Sequence, residues 1–580
     1  MVLSVVSVAA GCIKETFPKG STVTTEQRQE SPNALQYMVN GIPSAMMASG
    51  TAGYASSYGY HADFGIAGIH LMTESMLEDF TISGEQGYWW FGAFTQNKSM
   101  GADYIYNAYF WDCYYSWIKL ANDIILGAGK ITEDSDEILV NAVGQAHAFR
   151  ASFYLDLARL YEPKQNKYAP VPADLLEKGL TVPIVDENTK EQSDDPKEEN
   201  VGTRNPRAPR EKMYKFIFDD LAVAEKYLAD AGVAYNQPTV GAVYGLYARA
   251  YQELGGTYYE LQRYDAADSA YTQAYIYADK AITASGKTPL TKEQWVDPKT
   301  GFNDGSTNNS WMWGLSLSVE NASNIITKVS HLSSEAVWGY SIYTLPSVNK
   351  ALYDRIPNDD FRKYSWLDPN YTWDYAQNRG GNYTPNHGYR FAAESNREVL
   401  DYFIWTAVPY TNIKFRPADG ECLDYTIGNC ADHLLMRVEE MHFIKMEAAL
   451  RISKKTDSFN VGLDAAKALL NEFMQTYRYK SYDCSYLASK ETYIEEYLFQ
   501  KRVEFWGEGI LMFDYKRLNK GITRGYNGTN FQPTTSRFNT EGRSPQWNIV
   551  ITRGEFQSNI KIDQSLNNPD PTSTMVSWNE

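Results

Sequence analysis

The chain has 580 residues, 43% of them hydrophobic, and a formal net charge of −17. That charge repels a phosphate backbone or an anionic lipid face, which argues against nucleic-acid binding. No apolar run is long enough to span a bilayer, so the body of the chain is expected to fold in water.

Met1 to Ala10 is an uncharged apolar start that ends in Val8-Ala9-Ala10-Gly11-Cys12. Small residues followed by Cys match the end of a bacterial lipoprotein signal, whose thiol carries the lipid. The run has no basic residue before it, so residues 1–11 read as a signal remnant. Cys12 is the expected lipidation site, giving a chain tethered to a membrane without spanning it. Residues 12–32 are polar and unpatterned and read as a flexible tether.

Helical periodicity governs the chain beyond residue 32. Ala142, Val143, Ala146, Phe149, Phe153, Leu157 and Leu160 form one apolar stripe, stopped at Tyr161-Glu162-Pro163. Residues 164–210 are rich in Pro, Lys and acidic side chains, as in a long excursion. A second amphipathic helix is predicted over 210–229. Tyr251, Leu254, Gly255 and Tyr258, then Ala267, Tyr271 and Ala274, match a tetratricopeptide pattern. Gly255 should let two helices approach, with Ala267 and Ala274 leaving room for Tyr251 and Tyr258. One such repeat cannot bury its own apolar face, so several must stack. The predicted fold class is mainly α: a tetratricopeptide-like scaffold of about four helix pairs with a large loop-rich insertion containing short strands.

The N-terminal helical part is assigned to 33–285 and the insertion to 286–430. There Gly, Asn, Trp and Tyr are dense, with strands expected at 311–317 and 400–407. A C-terminal helical part with an irregular tail occupies 431–580, its helices predicted over 434–452, 462–477 and 491–507.

Glu504 and Glu508 lie one helical turn apart, a spacing that invites comparison with the carboxylate pairs of glycoside hydrolases. Their neighbours Arg437, Glu440 and Arg502 favour ion-paired helix seams instead. Glu74, Glu78 and Asp79 read as a helix end. The five cysteines and seven histidines lack metal-site spacing. No cofactor is expected, and nothing in the sequence supports a Ca²⁺ site. Cys422 and Cys430 flank a short loop and are near enough in sequence to pair as a disulfide. Trp111 and Trp117 read as helix packing, and Trp311 and Trp313 as strand core.

Aromatics make up 14% of the chain, with 44 Tyr against 24 Phe. A saccharide site needs flat ring faces, plus polar groups to satisfy hydroxyls. Candidate ligand residues on loops are Trp89, Trp90 and Asn97, then Trp338 and Tyr340, then Tyr371, Trp373 and Arg390. Two such platforms would give roughly −4 to −6 kcal/mol, or millimolar to tens of micromolar affinity.

The chain resembles the SusD/RagB family of outer-membrane nutrient-binding lipoproteins of Bacteroidetes. Gly144 to Leu157 is similar to the family's early helix, and Ile217-Phe218-Asp219-Asp220-Leu221 with Ala224 to its next motif. Arg437-Val438-Glu439-Glu440-Met441 with Met446-Glu447-Ala448 resembles a further signature, Met446 replacing the usual Ala. Lys501 to Gly509, Phe513-Asp514 and Lys516-Arg517-Leu518 resemble the C-terminal signature, although residues 510–512 lack its Arg. Glu555 to Pro569 is similar to the family's closing segment.

The resemblance implies a non-enzymatic protein on the outer membrane at the cell surface. It would capture an oligosaccharide and deliver it to a TonB-dependent, SusC-like barrel transporter. Alternatives are a peptide-binding member of the same family, a tetratricopeptide protein–protein scaffold, or a glycan-cleaving enzyme.

Overall fold

The computed structural model describes residues 32–50, 61–82, 94–198, 200–230, 232, 234–320, 322, 325–369, 408–454, 458–532 and 534–578. Cys12, Trp89, Trp90, Tyr371, Trp373 and Arg390 lie outside the described residues, as does the strand expected over 400–407.

The long helices in chain order are α1 (Pro32–Met47), α2 (Gly65–Ser75), α3 (Ile105–Ala128), α4 (Glu137–Tyr161) and α5 (Arg210–Tyr227). They continue with α6 (Val240–Glu260), α7 (Tyr264–Ser285), α8 (Val438–Arg451), α9 (Leu463–Tyr477) and α10 (Lys490–Phe505). Local chemistry sets their ends. Asp136 accepts from the Ile138 amide at the start of α4, and Thr239 from Ala242 at the start of α6. Glu162 takes an extended backbone because Pro163 comes next, and α4 stops there. Helix packs on helix in series, α3 on α4, α4 on α5, α6 on α7, α7 on α8 and α8 on α9. The mainly helical, tetratricopeptide-like architecture read from the periodicity is the one observed.

The α6–α7 hairpin departs from the expected detail. A Cβ at Gly255 would sit 2.8 Å from the Tyr271 ring, so Tyr271 is the side chain that the glycine admits. Tyr251 turns the other way and stacks on Phe218 at 4.5 Å between centroids. Tyr247 lies 4.3 Å from Tyr277. The tyrosines thus line the seam between α5, α6 and α7, where each buried ring adds about 1.5–3 kcal/mol.

Four short strands complete the described structure. Strand β1 (Phe80–Ile82) pairs antiparallel with β3 (Pro346–Val348), and β2 (Trp311–Leu315) pairs antiparallel with β4 (His433–Arg437). Residues 434–437 were expected to be helical. They alternate instead as a strand, because β2 offers Trp311 opposite Arg437 and leaves only Leu435 partly exposed. Strand β4 then runs directly into α8. Trp311 and Trp313 are buried in β2, and Trp111 and Trp117 in α3.

A charged centre fastens the insertion to the helices. Glu504 is fully buried and accepts from Arg437 (2.7 Å), Arg478 (2.6 and 2.7 Å) and Arg362 (3.0 Å). Burial alone would raise this carboxyl, but Arg478, Arg437 and Arg362 hold it well below the ordinary value of 4.5. Glu508 takes Lys414 at 2.7 Å and Arg437 at 3.0 Å. The pairs cross between elements, whereas the sequence spacing pointed to seams along one helix. Glu440 pairs with Arg249 on α6 at 2.6 Å, and Asp79 with Arg502. Glu74 is the penultimate residue of α2, with Glu78 and Asp79 just beyond its end as expected, and it accepts the Gly507 and Gly509 amides, tying that helix end to the C-terminal segment. Cys422 and Cys430 are free thiols, turned to the carbonyls of Gly420 and Thr426.

Candidate aromatic binding junction

The candidate ligand stretches join the scaffold at one place. Strand β1 ends at Ile82, opposite Pro346 of β3. Ser347 bridges to Thr411, and the Leu367 amide donates to Thr411 O at 2.9 Å. The Tyr410 amide returns a bond to Leu367 O at 2.9 Å, and Asn412 donates to Pro346 O at 2.9 Å. One described end of 83–93 (Ile82) and both described ends of 370–407 (Pro369 and Val408) are therefore stitched to the same small sheet, whereas the other end of 83–93, Phe94, packs on Tyr106 and Phe110. Residues 337–345 lead straight into β3. Leu345 adopts φ 49, the left-handed turn that ends the short helix Ser341–Thr344 and redirects the chain.

Beside this sheet lies a cluster of rings. Thr327 caps the short helix Lys328–Leu332 by accepting from Ser330 N, which sets His331 on its inner side. His331 stacks on Phe64 with centroids 4.9 Å apart and planes 3° from parallel. Tyr340 covers His331 at 5.1 Å and His61 at 4.2 Å. His331 Nδ1 donates to Thr327 O at 2.7 Å, since a carbonyl only accepts. Burial pushes its pKa down to about 3, opposed in part by that bond. Burial also lowers His61 and raises Tyr340. The cluster is therefore neutral at physiological pH.

Trp338 and Tyr340 are both half-buried, so each keeps some exposed surface. Trp338 lies over Gly428, where an added Cβ would come within 3.1 Å of Trp338 Cζ2 and 2.1 Å of Glu421 O. Trp338 Nε1 meets no acceptor among the described residues. Tyr343, 53% exposed, extends the aromatic surface along the next turn.

Asn97 takes another role. It is fully buried at φ 53, and its amide donates to Pro571 O at 2.9 Å and Thr574 Oγ1 at 3.1 Å. It ties the C-terminal segment down and offers no surface to a ligand. His61, Phe64, His331 and Tyr343 were not singled out from sequence. The dense Gly, Ser and Tyr between Gly53 and Tyr60 was the available signal for His61 and Phe64. Nothing in the local sequence links them to His331, about 270 residues on.

One carboxylate near this junction is occupied by an arginine. Glu335 is buried and holds Arg416 bidentately at 2.6 and 2.9 Å. Glu504 and Glu508 are locked in the charged centre. What the junction offers a ligand is ring faces and neutral polar groups.

No protein-family model and no curated relative matches the chain. Solved structures do. A SusD-like carbohydrate binding protein from Bacteroides vulgatus aligns over 92% of this chain and 98% of its own, with TM-score 0.64 at 19% identity. A SusD homolog from Bacteroides thetaiotaomicron aligns over 94% and 99%, with TM-score 0.64 at 14% identity. A SusD superfamily protein from Parabacteroides distasonis gives 93% and 99%, TM-score 0.63 and 16% identity. At such identities the likeness establishes the fold: this chain has the SusD fold over nearly its whole length.

Proposed function

We propose that this chain is a saccharide-binding protein without catalytic activity, whose binding surface is built at the aromatic junction. The observation that carries the reading is convergence. Three stretches rich in Trp and Tyr, one of them roughly 240 residues before the other two, each meet one small sheet at a described end. The fold, moreover, is shared with a protein described as carbohydrate binding. Pyranose rings have an apolar face that lies against Trp or Tyr, while their hydroxyls need partners. Trp338, Tyr340, Trp89, Trp90, Tyr371, Trp373 and Arg390 form the proposed contact set, with Trp338 and Tyr340 offering the uncovered parts of their rings. Asn97 is left out because it is buried.

The wider role extends the same reading. Cys12 carries the lipid that holds the protein on the outer surface of the outer membrane, and a TonB-dependent, SusC-like barrel receives the captured oligosaccharide. Weak capture suits that hand-over, because a ligand held too tightly would not be released.

Affinity electrophoresis through a panel of polysaccharides tests the binding claim. Retarded migration is expected with at least one, and Trp338→Ala should weaken it about tenfold, as for a central aromatic contact. No retardation with any glycan, together with co-purification of a barrel protein, would shift the reading to a peptide binder or scaffold. Released reducing ends would make it an enzyme. Radiolabelled palmitate should mark the wild-type protein in cells but not Cys12→Ala; an unlabelled wild type removes the anchor from the proposal.

A further inference from the structure

Helix α3 carries a second aromatic surface, facing away from the junction. Tyr109 on α3 donates to Gly65 O at 2.8 Å, four residues from His61. Trp111 is two residues further on, about 200° around the helix, and therefore on the opposite side. One turn later comes Tyr115, its ring 4.8 Å from Trp111 and tilted by 37°.

Both rings are fixed at their polar ends. The Tyr115 hydroxyl donates to Pro183 O at 2.7 Å. The Trp111 indole is hydrogen-bonded to the Glu555 carboxylate, which also accepts from Asn559 at 2.7 Å. Trp111 abuts Tyr161 edge-on at 5.3 Å and is buried, whereas Tyr115 is half-buried and keeps part of its ring uncovered. The rings form the floor of a cleft of about 590 Å³, walled by α3, by residues 183–205 and by the short helix Arg553–Ser558. Lys119, Glu191, Thr203 and Glu555 line its polar sides. Burial raises the Glu555 carboxyl, opposed by its bonds from Asn559 and Trp111.

We propose that this cleft is a second saccharide site, in which a neutral pyranose lies against Tyr115 while Glu555, Thr203 and Lys119 meet its hydroxyls. The volume falls in the range of small-ligand sites. The two immobilised rings, with Pro183 and Val185 beside them, supply the apolar surface, and the remaining walls carry both donors and acceptors. That division matches the apolar face and hydroxyl rim of a sugar. A polyanion would need a cationic rim, whereas Asp112, Glu191 and Glu555 outnumber Lys119 around this cleft. Because the rings are already held, binding sacrifices little side-chain freedom. The site is separate from the junction, so it stands or falls independently of the function proposed above.

The test uses the full chain with linear gluco-, xylo- and manno-oligosaccharides, read by calorimetry and by hydrogen exchange. At least one of them is expected to protect residues 111–119 and 553–559. Ser116 is exposed at the cleft, its hydroxyl donating to Asp112 O, so Ser116→Arg fills the cleft without disturbing the core. That variant should lose the protection and bind about tenfold more weakly at this site. Trp338→Ala should leave the protection in place. The proposal is overturned if no saccharide protects 111–119 in the wild type, or if Ser116→Arg leaves the protection unchanged.

Discussion

The charged centre around Glu504 and the aromatic junction around Tyr340 are assembled by opposite rules. At the centre the cations reach their anion from other elements, so Arg362, Arg437 and Arg478 converge directly on one carboxylate. At the junction the rings are neutral, and Trp338, Tyr340 and Tyr343 stay partly uncovered. The first arrangement fixes where the insertion sits. The second leaves surface chemistry unused, which is the condition for binding something else. Residues with the strongest sequence signature therefore hold the molecule together, and those with the weakest are the ones aimed outward.

The largest break in that comparison should come from Arg437→Met. Removing Arg437 takes one of three cations from Glu504 and one of two from Glu508 in a buried cluster, and the cost is about 3–5 kcal/mol. The urea midpoint should drop accordingly or the protein fail to accumulate; a shift under about 1 kcal/mol would mean the cluster contributes little to stability.

Acid separates the two regions with a smaller effect. His331 and His61 at the junction have lowered pKa values, so the native chain holds fewer protons there than the unfolded chain below about 6.5. Stability at the junction therefore falls as pH drops below 6.5, by about 1 kcal/mol per pH unit for a buried histidine such as His331. Glu504 behaves differently: its folded value lies below 4.5, and its contribution is lost only as pH falls below that ordinary value. The buried His70–His433 pair lies beside the centre and is also depressed. Glu74 there has the opposite sign, raised to about 7 by burial, so its share of stability grows as pH falls from 7 toward 4.5. Hydrogen exchange between pH 7 and 5 should thus accelerate at residues 61–64 and 328–332, and beside the His70–His433 pair, before residues 502–505 around Glu504. Simultaneous opening would contradict the division.

The smallest effect sharpens the contrast. Trp338→Ala, which should cut binding, is expected to move the unfolding free energy by only about 1 kcal/mol, because the ring is half-buried and its N–H meets no acceptor among the described residues. A much larger loss would make Trp338 a packing residue.

Helices over 137–161, 210–227 and 463–477 were legible because their apolar spacing and stop residues are local. Strand β4 was not, since Leu434-Leu435-Met436 fits either period and only β2, more than a hundred residues earlier, decides between them. The charged motif was legible as structural, but its partners were not: Arg362 and Lys414 come from the insertion. At the junction, Trp338 and Tyr340 were visible as loop aromatics. Asn97 was misplaced because the residues that bury it, Pro571 and Thr574, lie at the far end of the chain. His61 and His331 acquire meaning only through each other and Tyr340.

The short ladder between β2 and β4 has an evolutionary consequence. It brings Trp311 opposite Arg437, closing the intervening stretch like a drawstring at the helical body. Lengthening a closed loop twofold costs only about 0.6 kcal/mol of closure entropy. A lineage can therefore enlarge what lies beyond the knot while inheriting the same frame.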